Sequence, residues 1–349
     1  MAKKKKLLPK DFEELLKQGD LARLKAVFDS CELDARGGVF KQTALAFDLC
    51  PDDLTRWLVA EGADISAGDS YGDTPLHARA RSWRGRLAVL LELGADVNRG
   101  EGERGTPLHG AADGCHLDNV RQLIAAGARV DAVDRESSTP LEYALRRCSN
   151  AQIERMAPVA ALLLETGART TPEMRESITR IGTDFEFHRA NFNAESRDAA
   201  SAGLDRLYAL FDVPPVPRRA IHDGKSPIVA TADRWEERHQ ELWTLLVPSS
   251  GAATTVQGEV IRIAGRIADE LERNGGVNWD AQYRAMADAW LAHVGSGKPL
   301  PAAELQDAAT TVAEVKRRNG DTRRLCELAV AWVALNPKPV PLPPPVYTR

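Results

Sequence analysis

Thr74-Pro75-Leu76-His77 recurs as Thr106-Pro107-Leu108-His109 and again as Thr139-Pro140-Leu141-Glu142, at intervals of 32 and 33 residues. A degenerate copy, Thr43-Ala44-Leu45-Ala46, stands 31 residues ahead of the first. Each copy is followed by a second motif: Gly62-Ala63-Asp64, Gly94-Ala95-Asp96, Gly127-Ala128-Arg129 and Gly167-Ala168-Arg169. Two linked motifs sharing one period point away from a single irregular core. A repeat of this length is one supersecondary unit, too small to bury its own apolar face, so successive copies must stack.

The residue types within each copy call for a helical hairpin. Threonine caps a helix through its hydroxyl, and proline fits the first helical position, where no N–H bond is lost. Leucine then opens the apolar stripe. In the copy that starts at Thr106, Val120, Leu123 and Ile124 keep helical spacing on a second helix. Gly127 stops it, because glycine enters the left-handed region without strain. Each unit is expected to read helix, turn, helix, then a loop to the next Thr-Pro-Leu. The Thr-to-Gly distance grows along the chain from 19 through 20 and 21 to 28 residues. The surplus in the last copy falls around Cys148–Pro158 and predicts a lengthened turn there.

Residues 74–77, 94–98, 106–109 and 127–131 resemble the ankyrin repeat, and the resemblance spans about residues 7–170. Lys10–Asp34 resembles a capping repeat, with Gly19-Asp20-Leu21 opening its second helix and Cys31 where the glycine would stand. The resemblance implies helices packed side by side and loops projecting as β-hairpin fingers. It also implies that His77 and His109 are structural, each bonded to its capping threonine and to the neighbouring loop's backbone. The expected fold is all-α: an ankyrin-repeat solenoid of about five repeats, cap included, followed by a C-terminal helical bundle.

Beyond the repeats, Thr171-Pro172-Glu173 and the helical spacing of Leu204, Leu207, Leu210 and Phe211 mark residues 171–212 as a divergent helical cap. Pro214, Pro215, Pro217 and the turn-like His222-Asp223-Gly224 make 213–227 a linker. Residues 228–336 read as a helical domain with helices near 231–246, 252–273, 280–294, 302–318 and 322–335. The second of these carries Val256, Val260, Ile263, Ile267 and Leu271 on one stripe. Leu246–Arg262 resembles segments of uncharacterised bacterial proteins, and no activity comes with that resemblance. At the ends, residues 1–6 with Lys3 to Lys6 read as a solvated basic tail, and 337–349 as an extended, mobile Pro-rich tail.

Candidate chemistry is sparse. A formal net charge of −4 gives no general attraction to nucleic acid or an anionic membrane, and no apolar run is long enough to span a bilayer. The five cysteines are scattered, with no CxxC pair, which argues against disulfides and a cysteine zinc site. With no secretory h-region visible, the expected location is the cytoplasm. His109, Cys115 and His116 lie close in sequence, but adjacent residues project differently from a helix. Gly224-Lys225-Ser226 lacks the glycine a phosphate loop needs at position 219, and Pro227 breaks the helix that should follow; Gly295-Ser296-Gly297-Lys298 fails likewise at Pro299. His222-Asp223 reads as a turn, and Trp279 as core. Glu259, Arg262, Arg266, Glu270 and Arg273 form a line read as a solvated face. No nucleophile–base pair, metal spacing or glycine-rich cradle emerges, so no cofactor is expected.

The resemblance therefore implies a module that binds a protein partner through finger tips and inner helices. Candidate contact residues are Phe40, Lys41, Tyr71, Arg104 and Arg135 at the tips, with Arg79, Trp83, Asp113, Tyr143 and Arg146 on the inner helices. Aromatic and arginine side chains most often dominate binding energy. A specific form of this reading is a bacterial adaptor or inhibitor, such as a toxin-neutralising protein. The alternative is an enzyme with catalysis in 228–336 and the repeats positioning a protein substrate.

Overall fold

The computed structural model describes residues 3–100 and 105–349. They separate into two compact units, one of residues up to Phe185 with Asn193–Val216, the other of Glu186–Phe192 with Pro217–Arg349. Among the described residues the chain is predominantly helical, with sixteen α-helices and one small three-stranded sheet.

The first unit opens with strand β1 (Lys5–Leu7), helices α1 (Phe12–Gln18) and α2 (Leu21–Ser30), strands β2 (Cys31–Gly37) and β3 (Gln42–Thr43), and a 3-10 turn at Ala44–Ala46. Strand β1 lies parallel to β2, and β2 antiparallel to β3. Lys3 to Lys6 are exposed, but the run is not an unstructured tail: it feeds a strand whose backbone pairs, and the Lys4 ammonium donates to the Phe28 carbonyl at 2.7 Å. The Ala44–Ala46 turn corrects a second expectation, a full first helix in the degenerate copy. Alanine replaces histidine at position 46, so the Thr43 hydroxyl is buried without a partner and the reciprocal cap is missing.

Helices α3 (Asp52–Ala60), α4 (Pro75–Ala80), α5 (Ala88–Glu92), α6 (Pro107–Asp113), α7 (Leu117–Ala125), α8 (Pro140–Arg147) and α9 (Ile153–Glu165) follow. Here α4 packs on α6 and α6 on α8. The Thr-Pro-Leu-His chemistry explains how each starts. His77 Nδ1 accepts from the Thr74 N–H at 3.2 Å, and His109 Nδ1 from the Thr106 N–H at 3.0 Å. Each ring then reaches forward, His77 Nε2 to the Gly105 carbonyl and His109 Nε2 to the Ser138 carbonyl, both at 3.0 Å. Glu142 takes the histidine's place in the next copy, accepting from the Thr139 N–H at 2.9 Å. Because a carboxylate only accepts, its forward partner must donate, and the Thr171 hydroxyl does so at 2.9 Å. At the other end of the hairpin, Gly127 has φ +90 with nothing within 4 Å of a would-be Cβ. Backbone conformation, not space, requires glycine there.

The lengthened turn of the last copy occupies only 148–152. A Ser149–Gln152 capping box starts α9 early, so Pro158 lies inside the helix and not in the turn as expected. Helices α10 (Pro172–His188) and α11 (Ala194–Phe211) complete the unit, although α10 from Glu186 onward groups with the second unit. Gly203 lets α11 lie against the α9 backbone, since a Cβ there would come within 2.9 Å of Glu154 Cα.

The second unit comprises α12 (Trp235–Leu246), α13 (Val256–Ala268), α14 (Ala281–Val294), α15 (Ala302–Val315) and α16 (Thr322–Leu335) around one core containing Val260, Ile263, Trp290 and Trp332. Three expectations are corrected here. Helix α13 runs into a π turn at Asp269–Arg273, closed by Glu270, which accepts from Asn274 and Asn278. Glu270 is buried within the turn it closes, and Glu259 and Arg262 are buried rather than solvated because the Pro-rich segment bonds to them over α13. That segment is no mobile tail: Val256 N–H donates to the Val340 carbonyl at 2.8 Å, and Leu342 N–H to the Thr254 carbonyl at 3.0 Å. Residues 213–227 pass from the first unit into the second between Val216 and Pro217. The Val216 N–H donates to the Tyr208 hydroxyl in the first unit, whereas Arg219 and His222 bond to the Thr244 and Leu245 carbonyls in the second.

Candidate partner-binding surface

Phe40 lies in the turn joining β2 to β3, where Gly38 at φ +70 reverses the chain and pushes Val39 and Phe40 outward. The next finger brings Tyr71 beside it: the Phe40 carbonyl accepts from the Ser70 N–H at 2.9 Å, and the two rings meet edge-on at 6.0 Å. Trp83, expected on an inner helix, projects instead from the loop between α4 and α5, with the Arg84 guanidinium 4.5 Å from its ring centre. Val39, Phe40, Leu49 and Trp83 line one concave groove of about 660 Å³. Val39 is 91% exposed and Trp83 72%, so large apolar surface faces water here. Charge around the rim is mixed, Glu13, Asp48 and Asp69 against Lys17, Arg81 and Arg84. Several of these groups are already engaged: Asp48 accepts from the Ser82 hydroxyl at 2.6 Å, and Arg81 pairs with Asp73 at 2.8 Å. At protein interfaces in general, polar rims set register and apolar centres supply area.

Of the residues expected at the interface, the groove and its edge gather Phe40, Tyr71 and Trp83, with Lys41 exposed next to Phe40. Arg79 is a correction. It is fully buried, donating to the Leu45 carbonyl (2.8 Å), the Arg86 carbonyl (3.0 Å) and the Thr55 hydroxyl (2.9 Å), and cannot contact a partner. A second group lies farther along the unit. Asp113 pairs with Arg147 at 3.1 Å, Tyr143 sits 5.9 Å edge-on to His109, and Arg146 pairs with Glu136 at 2.6 Å. Arg135 is exposed near them. Arg104 lies outside the described residues. Val39 and Leu49 were missed in sequence, although two bulky apolar residues directly after Gly37-Gly38 carry the signal for an exposed turn.

The candidate chemical residues do not converge. His116 Nε2 bonds to the Arg81 carbonyl at 2.9 Å, and burial pushes the Cys115 thiol up to about 11, away from the thiolate a metal requires. No group of three or more metal-binding side chains occurs among the described residues, and none of their helices is long and apolar enough to cross a membrane.

Burial holds the His77 and His109 imidazoles below their ordinary pKa. Protonation would also set an Nδ1 hydrogen against the threonine N–H that Nδ1 accepts. The unfolded chain therefore takes the proton first as pH falls through about 6.5, and stability declines from there downward. Between pH 7 and 5.5, His109→Gln should lose about 1 kcal/mol less stability than the wild type, read from urea midpoints. Equal losses in the two proteins would contradict the assigned neutral ring.

The ankyrin repeat family model matches residues 105–135. No curated protein matches the chain. Ankyrin repeats in general mediate protein–protein interaction.

Proposed function

We propose that residues 7–170 form a stacked array of about five ankyrin-type repeats, cap included, whose first fingers capture a protein partner in the groove between Phe40 and Trp83. One observation carries this reading. Of the large hydrophobic side chains exposed among the described residues of the first unit, Val39, Phe40, Leu49, Tyr71 and Trp83 gather at one place, leaving Leu7 and Val133 elsewhere. Scattered apolar residues need no explanation, but a contiguous patch rimmed by polar groups marks an interaction site. The helical second unit, which we read as a bundle, gives the chain a further surface. Together they suit an adaptor or an inhibitor that masks its partner, such as a toxin-neutralising protein in a bacterial cytoplasm.

Phe40→Ala combined with Trp83→Ala should weaken capture by about 2 kcal/mol or more, without changing the melting temperature, because both side chains are solvent-facing. Affinity capture from cells with wild-type and double-mutant protein identifies the partner, and calorimetry measures the difference. An unchanged dissociation constant would remove the groove as the site. Loss of the partner's own activity on stoichiometric addition would separate an inhibitor from an adaptor.

A further inference from the structure

Within the second unit, residues 337–349 lie on α13 and α14 in the manner of a peptide on a receptor. Gln257 is fully buried, and its side chain reads two main-chain groups of this stretch and one of Asn336 just before it. Its amide donates to the Asn336 and Lys338 carbonyls at 2.9 and 2.8 Å, and its oxygen accepts from the Val340 N–H at 3.1 Å. The chain then pairs antiparallel with residues 254–256. Pro339, Pro341 and Pro343 alternate with the donors Val340 and Leu342, so the groove has no N–H left to satisfy at those positions.

Side chains are read further along. Tyr347 is 4% exposed, and its hydroxyl donates to Glu259 Oε1 at 2.7 Å. Glu259 is held by Arg262 through bonds of 2.9 and 2.6 Å, and Arg262 also donates to the Arg349 main-chain oxygen at 2.9 Å. Arg262 Nη1 is buried with no partner. The Arg349 guanidinium pairs with Asp280 at 2.8 Å and lies 4.9 Å from the Tyr283 ring, which stacks on Trp279. Gln282 accepts from the Thr348 N–H at 2.9 Å.

Mere apolar cover would not place Gln257, Glu259 and Arg262 beneath it, because buried polar groups are costly unless something specific pairs with them. Apolar burial in the covering segment rests mainly on Tyr347 and on Leu342 packed against the core, while Lys338, Val340, Val346 and Thr348 stay exposed, so few apolar contacts oppose its release. Proline also keeps such a segment extended before it binds, which lowers the ordering cost for any chain of this composition. We propose that this groove is a recognition site for extended proline-rich peptides carrying Tyr-x-Arg, occupied in cis by residues 337–349 and opened to a partner with the same motif when they lift.

The test titrates a fluorescein-labelled peptide of residues 337–349 against the full chain carrying Tyr347→Ala and Arg349→Ala. Saturable binding is expected, at least about tenfold tighter than to wild type, whose own segment competes at high effective concentration. Alanine at the peptide's tyrosine and arginine should abolish it. No binding by a variant that melts like wild type, or binding indifferent to those two peptide residues, overturns the proposal. Hydrogen exchange on the wild-type chain is independent of that variant's folding: excess peptide should speed exchange at Leu342 and Thr348, and unchanged rates overturn it too. A wild-type dimer formed by exchanging these segments would assign the groove to a second copy and also overturn it.

Discussion

Glu259→Ala is expected to lower the stability of the second unit by about 3–5 kcal/mol, the largest effect expected of any single substitution there. The carboxylate is fully buried and is gripped by Arg262, by the Tyr347 hydroxyl and by the Ala253 N–H at 2.9 Å. Burial alone pushes its pKa up, but the bonds from Arg262, Tyr347 and Ala253 outweigh it and hold the group below the usual carboxylate range. A depressed carboxylate pKa means stabilisation that is fully present above about pH 4.3 and lost as pH falls through the folded value. Alanine strands a guanidinium that is 1% exposed, and the loss follows mainly from that uncompensated charge. Replacing both partners with apolar residues of similar volume, Glu259→Leu with Arg262→Met, should recover at least half of the loss. Trp235, Trp243, Trp279, Trp290 and Trp332 all belong to this unit, so tryptophan fluorescence in urea reports chiefly on it. A single variant as stable as the wild type, or a double variant worse than the single, would refute a paired buried charge.

This pair also shows where reading the sequence stops. The Thr-Pro-Leu-His periodicity was legible because each residue in it answers a local backbone need: a cap, a missing N–H, a turn into the left-handed region. Those needs are met within a few positions of chain, so spacing reveals them. Burial of Glu259 and Arg262 depends on residues 88 and 87 positions farther on folding back over α13, and the same i, i+3 spacing serves equally well on a wet face. The prolines of 337–349 did announce an extended conformation. Extension suits a free tail and a docked strand alike, and composition alone cannot choose between them. At the candidate surface, Phe40 and Tyr71 were legible as bulky rings at finger tips, whereas Trp83 was expected on an inner helix and stands in the loop after α4. Val39 and Leu49 were overlooked because aliphatic residues in a repeat are read first as core. Arg79 erred in the opposite direction: its long charged side chain suggested water, but it runs inward from the last full turn of α4.

Arg79→Ala should therefore destabilise the first unit by about 3–5 kcal/mol, combining unpaired acceptors of about 1–3 kcal/mol each with the cavity left by a large side chain. Part of that sum is offset, because burial already depresses the Arg79 pKa and its removal relieves a desolvated charge. The Thr55 hydroxyl keeps its own bond to the Pro51 carbonyl at 3.0 Å, so the heavier loss falls on the Leu45 and Arg86 carbonyls. Leu45 lies in the 3-10 turn beside the groove, and Arg86 closes the loop that presents Trp83. Arg79 thus positions the proposed binding surface without reaching it. Arg79→Lys keeps the charge but offers one ammonium where a planar fork served three acceptors, and should recover less than half of the loss. Two measurements separate positioning from contact. Amide exchange at 82–86 should accelerate in Arg79→Ala at temperatures where the unit remains folded, and affinity for the partner should fall with it. If affinity fell while exchange in that loop and the melting temperature stayed at wild-type values, Arg79 would have to act as a direct contact, which its burial forbids.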